Sequence, residues 1–553
     1  MEESEMSTQN TDGPQYDEPV KNLARKTVLE AAVSVLTKNR SSAPLVGRSY
    51  VRDVRHEISN NSAYDACKTE ASLLSDSVID RWETFHDSIV QSKTSKDLKV
   101  AFLCGPKPEN DVAELISLGI LEENIWAFEI HQATYDEAVL NSLNSKFPFL
   151  KIFRGGVDSF LNCSKQRFDI IYLDFCGTIA AQKKSPHRTI ASVFAQNSLM
   201  QNGVLITNVS FPVEMERNKS HRNNLFELAC YYLFNKDTVE GEILSENGFE
   251  YSDWQQMHVE NPEHCYSLFL TRLLMDLGLV CSPTERFFNH CSNGKPIFDF
   301  KENNLLECAK LLMKTSSLDE LEDAQTDDEE FWFGAAATSE GGKYALVKTF
   351  HGLLQPARIY GQENVPNGLQ DLSRSFARQL SSKNDQNFAS KIQALIYLLS
   401  SDHLLREFEF LPDSTRKLVE DHSSDNYQQF CDVVCQHQIL ELLFCQLTNP
   451  YHFNVTESKR WTYKAKDTAM FMDMAVFDQC RYVYDWMPTL DMFAFGMKDK
   501  ERQLSYRFAL DGIRKHAFHY NSEFLAGTHV VPVHLDGFLA KELSPRKELK
   551  LKC

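Results

Sequence analysis

The run Lys-Val-Ala-Phe-Leu-Cys-Gly-Pro-Lys-Pro-Glu-Asn-Asp, residues 99–111, decides the fold. A short apolar stretch, Lys99–Cys104, enters a loop containing Gly105, Pro106 and Pro108, and a helical pattern follows from Asn110 to Leu118. A strand leading through such a loop into a helix is the unit from which parallel sheets are wound. The unit then recurs. Ile125–Ile130 reads as a second strand with a helix over Ala133–Phe147, Leu150–Phe153 as a third, and Phe168–Asp174 as a fourth. A helix over Thr189–Met200 and a fifth strand over Val204–Phe211 complete the series. Apolar strands alternating with amphipathic helices predict an α/β fold whose mainly parallel sheet is covered on both faces.

Working outward, residues 1–18 are polar and acidic, the composition of a mobile tail. Residues 19–96 read as a helical segment: Leu23, Val28, Ala31, Ala32 and Val35 recur at three- and four-residue steps, and a second helix is expected over Glu70–Val90. The α/β domain is expected over 97–300. Its last parts are a helix at Asn224–Phe234, an apolar segment at Cys265–Leu274, and a hairpin over Arg286–Phe300 turning at Asn293-Gly294, which would close the sheet as an antiparallel pair. Residues 301–341 carry a helix and an acidic linker, with eight carboxylates and no Lys or Arg between Asp319 and Glu330. A separate, mostly α-helical C-terminal domain is expected over 342–553, on apolar faces such as Phe388, Ile392, Leu395 and Leu399, or Val433, Val434, Leu440 and Leu443.

The chain of 553 residues has a formal charge of −19, which argues against a uniformly basic nucleic-acid binder but leaves room for a local basic groove. Fourteen cysteines without CxxC spacing and no hydrophobic leader suggest reduced thiols in a cytoplasmic protein. No membrane span is expected.

In such sheets ligands bind over the carboxyl ends of the strands. Gly105 lets a ligand approach the first loop closely, and Pro106 helps to fix the loop's shape. Glu129 ends the second strand, 24 residues after Gly105, where a carboxylate can accept from both hydroxyls of a ribose; a surface glutamate is the plain alternative. Asp158 follows the third strand after Gly155-Gly156, either as an acceptor for an adenine amino group or as the N-cap of a helix beginning at Ser159. The fourth strand is apolar on both faces and delivers Asp174 beside any ligand bound there.

This succession resembles class I S-adenosylmethionine-dependent methyltransferases: a glycine-bearing first loop, an acidic end to strand two, Asp after strand three and an acidic turn after strand four. The likeness spans about 200 residues and implies a Rossmann-like methyltransferase domain with S-adenosylmethionine as cofactor, held by Gly105, Pro106, Glu129 and Asp158. It also implies that Asp174 is catalytic, orienting or deprotonating a nitrogen or oxygen acceptor. The first loop has Gly105 alone where the family usually has GxGxG, so a non-catalytic scaffold built on a degenerate methyltransferase-like fold is the alternative. A dinucleotide fits worse, since GxGxxG is missing.

The turn Asp174-Phe175-Cys176-Gly177-Thr178 is similar to the Asp-Pro-Phe-Gly-Ser/Thr turn of tRNA guanine-N2 methyltransferases, with the proline missing. Cys176 is either a nucleophile, as in cytosine-C5 methyltransferases, or a structural thiol. Lys183, Lys184, His187 and Arg188 form a basic cluster that either meets a phosphate-bearing acceptor or is a solvated loop.

Between 449 and 521 basic and aromatic residues interleave, among them Arg460, Trp461, Tyr463, Arg481, Tyr482 and Tyr484, with eleven Lys or Arg against nine Asp or Glu. Such a region either binds a nucleic-acid acceptor or builds an ion-paired core. Cys431, Cys435, His437 and Cys445 lack compact metal-ligand spacing, so no metal site is expected.

Overall fold

Five parallel strands occupy the middle of the chain in the computed structural model: β1 (Val100–Leu103), β2 (Ile125–Glu129), β3 (Lys151–Arg154), β4 (Phe168–Asp174) and β5 (Leu199–Ser210). The structure describes residues 18–60, 75–175, 177–181, 186–213, 219–240, 250–289, 291–292, 295–296, 345–354, 367–380, 450–484 and 543–551. All five strands were readable in the sequence, and β4 has its expected bounds. Strand β5 begins earlier than its apolar run suggested, because the preceding helix ends at Ala195 and Asn197 turns the chain with φ +50°. Leu199 then pairs with Phe168.

The sheet does not end where the sequence placed its end. Cys291–Ser292 (β6) and Lys295–Pro296 (β7) pair around residues 293–294, but as a two-stranded sheet of their own. The antiparallel pair that extends the main sheet is β9 (Lys459–Ala465) and β10 (Thr468–Asp478), with β8 (His452–Phe453) also on β10 and β11 (Lys547–Glu548) parallel to β9. The order is β11-β9-β10-β5-β4-β1-β2-β3. A domain break at residue 300 is therefore corrected: the α/β sheet draws four strands from the region expected to be a separate helical domain. The strand β10 forms a nine-residue register with β5, from Met470↔Ser210 to Asp478↔Asn202. Its near-continuous burial requires cover on both faces, which only a central strand has.

Helices cover the two faces unequally. On one face lie α1 (Pro19–Leu36), α4 (Glu109–Ser117) and α5 (Gln132–Asn144), which supply Val28, Leu29, Leu36, Val112, Leu115 and Ala138 against Phe102, Ile170, Ile206 and Met472, while α2 (Tyr50–Asn60) and α3 (Asp76–Val90) are tied to each other by Arg52 on Asp80 and Glu83. Helix α1 is thus part of the domain: burying Val28, Leu29, Val33 and Leu36 contributes roughly 6–12 kcal/mol before entropy. The segment that follows α1 is held by a polar link, the Leu45 backbone N–H donating to Asp478 Oδ2 at 2.7 Å.

The other face carries α6 (Val157–Cys163), α7 (Pro186–Ala195), α8 (Lys219–Glu240), α9 (Tyr251–Glu260), α10 (Pro262–Asn289), α11 (Ala345–Leu354) and α12 (Asn367–Leu380). A short α13 (Arg481–Tyr484) follows β10. The apolar segment at Cys265–Leu274 lies inside α10, whose window Pro262–Ser282 has a mean hydropathy of 1.4, enough by composition to cross a membrane. Since 72% of that window is buried within the fold, its apolarity is that of a core helix. The expected helices around 388–399 and 433–443, the acidic linker and the Cys431–Cys445 group lie outside the described residues.

Candidate functional site

The residues expected to hold a ligand come together at the carboxyl edge of β4-β1-β2-β3. Phe102 pairs with Tyr172, Leu103 with Phe128, and Asp174 with Asn208. Extending each ladder by one or two residues puts Glu129, Cys104, Asp174 and Asn208 level across four adjacent strands. Side chains alternate along a strand, so these four share the face of Phe102, Tyr172 and Ile206, which is the face covered by α1 and α4.

Gly105 follows β1 with φ +60°, the left-handed region that glycine enters without steric cost. The chain then turns through buried Pro106, whose carbonyl accepts from Asn141 Nδ2 at 2.8 Å, into buried Pro108, the N-cap of α4. Glu129 Oε1 accepts from the His131 backbone N–H at 2.8 Å, and the Glu129 carbonyl accepts from Gly155 N at 2.9 Å. That bond ties the second strand's end to the third loop. Asp158 is not an N-cap: Gly156 takes that position, and Asp158 sits in the first turn of α6 with its carboxylate folded back against Gly156.

Asp174 is held by one oxygen only. Its Oδ1 accepts from Asn208 Nδ2 at 2.7 Å, and the same amide donates to Tyr463 Oη at 2.7 Å. No hydrogen bond reaches Asp174 Oδ2 among the described residues. Asn208 is 1% exposed and its Oδ1 has no partner there either. The turn after Asp174 is braced by backbone bonds: Phe175 N–H to the Asn208 carbonyl at 2.9 Å and Ser210 N–H to the Gly177 carbonyl at 3.1 Å. Cys176, Lys183 and Lys184 lie outside the described residues.

Two residues that sequence reasoning passed over complete the edge. Arg25 of α1 donates from Nε to Asp111 Oδ1 at 2.6 Å, and Asp111, in the first turn of α4, is 6% exposed. Burial pushes the Asp111 carboxyl up to about 6; Arg25 opposes this, and nearby Asp174 and Glu109 add to it. Burial disfavours the Arg25 charge, but Asp111, Tyr172 and Asp174 outweigh it and hold the guanidinium above its ordinary value. Burial, with Glu129 and Asp111 nearby, raises the Cys104 thiol far above its ordinary value, which leaves it a packing group rather than a nucleophile. Asp111 was visible in the quoted run as a carboxylate one turn into a helix; its burial was not.

The basic-aromatic region is placed differently. Arg460, Trp461, Tyr463 and Tyr482 are all buried, with Arg460 donating to the Ser544 carbonyl at 2.9 Å and Tyr463 facing Asn208. These aromatic residues and Arg460 are thus core, while Lys459, Lys464, Lys466 and Arg481 are exposed, and residues 485–521 lie outside the described set. Comparison with known proteins finds no family model and no curated protein that matches the chain.

Proposed function

We propose that this α/β protein is an S-adenosylmethionine-dependent methyltransferase acting on a nitrogen or oxygen acceptor, with nucleic acid among the candidate acceptors. The observation that carries the reading is the charge of the strand edge: Glu109, Asp111, Glu129, Asp158 and Asp174 lie along it, and the one ion-paired cation there among the described residues is Arg25, on Asp111 at the β1 and β4 end. Helix N-termini over a parallel sheet ordinarily favour phosphate. Here α4 and α6 carry Glu109, Asp111 and Asp158 in those first turns, which repel phosphate and favour a cation. A nucleoside without phosphates and with a sulfonium charge fits this donor set, and a dinucleotide does not. The antiparallel pair β9–β10 closing the sheet is a further point of likeness to the methyltransferase fold.

When bound, the cofactor supplies an electrophilic methyl group. Glu129 then accepts from ribose hydroxyls, Gly105 allows close approach at the first loop, and Pro106 keeps that loop rigid. Asp158 accepts from the base. Asp174, fixed through Oδ1 by Asn208, presents Oδ2 to an N–H or O–H of the acceptor, aims its lone pair and takes up its proton.

Titration calorimetry with S-adenosylmethionine tests the reading. Binding is expected, with Glu129→Ala weakening it about tenfold through loss of charged hydrogen bonds. No binding at millimolar cofactor overturns the enzyme reading in favour of a scaffold. A radiolabelled methyl-transfer screen over RNA, DNA, protein and small-molecule pools then identifies the acceptor.

A further inference from the structure

Arg25 is out of keeping with an edge built to attract cations. Its side chain is 14% exposed, with Nε on Asp111 Oδ1 at 2.6 Å and Nη1 on Asn22 Oδ1 at 2.8 Å. Nη2 makes no hydrogen bond among the described residues, and it is not among their sealed, unpartnered atoms. A guanidinium carries five N–H donors in a planar fork, and the outer part of this fork is left for something else. That outer part reaches the surface, where a ligand can meet it in place of solvent.

Its position says which part of a ligand that is. Glu129 and Asp158 stand at the β2 and β3 ends of the edge, while Arg25 stands over Asp111 and Asp174, at the β1 and β4 end. From β4 to β3 is three interstrand steps, roughly 14 Å. An elongated ligand with its nucleoside over β2 and β3 must end near Arg25, and what a planar fork of donors takes there is a carboxylate.

We propose that Arg25 is a binding residue for the α-carboxylate of the cofactor's amino-acid arm, an assignment that rests on the S-adenosylmethionine reading. Asp111 acts as the residue that positions the guanidinium, holding Nε so that the outer face of the fork points along the strand edge.

The test is calorimetry on the full chain with two ligands that share a nucleoside: S-adenosylhomocysteine, which has the carboxylate, and 5′-methylthioadenosine, which lacks it. Wild type is expected to bind the first more tightly. Arg25→Ala should weaken S-adenosylhomocysteine by about 10- to 100-fold and change 5′-methylthioadenosine by less than about threefold. Arg25→Lys, which keeps the charge without the fork, should show the same selectivity at about 5- to 10-fold, and decides the matter if the alanine variant does not fold. Equal weakening of both ligands, or of neither, overturns the assignment. Failure of wild type to bind either ligand overturns the cofactor reading itself, and the Arg25 assignment with it.

Discussion

Buried carboxylates are bonded differently in the antiparallel half of the sheet and at the carboxyl edge of the parallel half, whose opposite edge has Asp169 engaged at both oxygens by Lys93 and the Lys99 backbone N–H. In the antiparallel half, Asp473 of β10 is 2% exposed and fully engaged: Oδ1 accepts from Thr271 at 2.8 Å and Oδ2 from Arg546 Nη2 at 2.8 Å. Asp478, at the other end of β10, accepts from the Leu45 and Cys480 backbone N–H groups and from Tyr482 Oη. At the carboxyl edge of the parallel strands, among the described residues, Asp174 is bonded at one oxygen, Glu109 Oε2 is buried with no partner, and Asp111 has Arg25 alone. Closed networks join distant segments of the chain. Networks left open at a strand edge, where packing would be better served by apolar side chains, are what a ligand site requires.

The largest expected effect breaks the closed half. Arg546→Ala leaves Asp473 buried without its counter-charge and removes donors to the Trp461 and Met472 carbonyls, so unfolding free energy should fall by roughly 3–5 kcal/mol in a denaturant titration. If the loss is under about 1 kcal/mol, the closed half is not held as described. The next strikes the open half. Asp174→Asn keeps the shape of the side chain but not its charge, and should lower methyl transfer by about 100-fold or more while moving stability by less than about 1 kcal/mol. A stability loss as large as that of Arg546→Ala would erase the contrast.

The smallest effect is a pH dependence. The Asp111 carboxyl stands at about 6 in the folded protein against an ordinary 3.8, so between those values the folded state holds a proton that the unfolded chain has released. The resulting stability is present below about pH 4 and is lost as pH rises to about 6. Thermal melts of wild type should show this decline, and Asp111→Asn should flatten it. Cofactor affinity should run the other way, rising as pH climbs through about 6 because the edge gains a negative charge. Parallel trends in the two measurements would show that Asp111 does not face the ligand.

Much of the candidate site could be read in sequence because each of Gly105, Glu129, Asp158 and Asp174 stands at or just beyond the end of its own strand, and strand ends are marked by a local change from apolar to polar residues. What those residues touch could not. Asn208 lies 34 residues from Asp174, Tyr463 lies 255 from Asn208, and Arg25 lies 86 from Asp111. Arg25 sits in a helix whose apolar spacing explains it as an ordinary polar-face residue until α1 is laid beside α4.

The sequence by itself determined the five parallel strands, the helices between them and the strand edge where the acids collect, since periodicity over ten residues or so is enough to specify each. Only the tertiary structure decided where the sheet ends. The stronger local turn signal, Asn293-Gly294, belongs to the small separate sheet, whereas the hairpin that extends the main sheet turns at Lys466-Asp467, which no glycine or proline marks. The choice rests on the long register of β10 with β5 and on two faces that both need cover, a balance of burial that exists only once the chain has closed on itself.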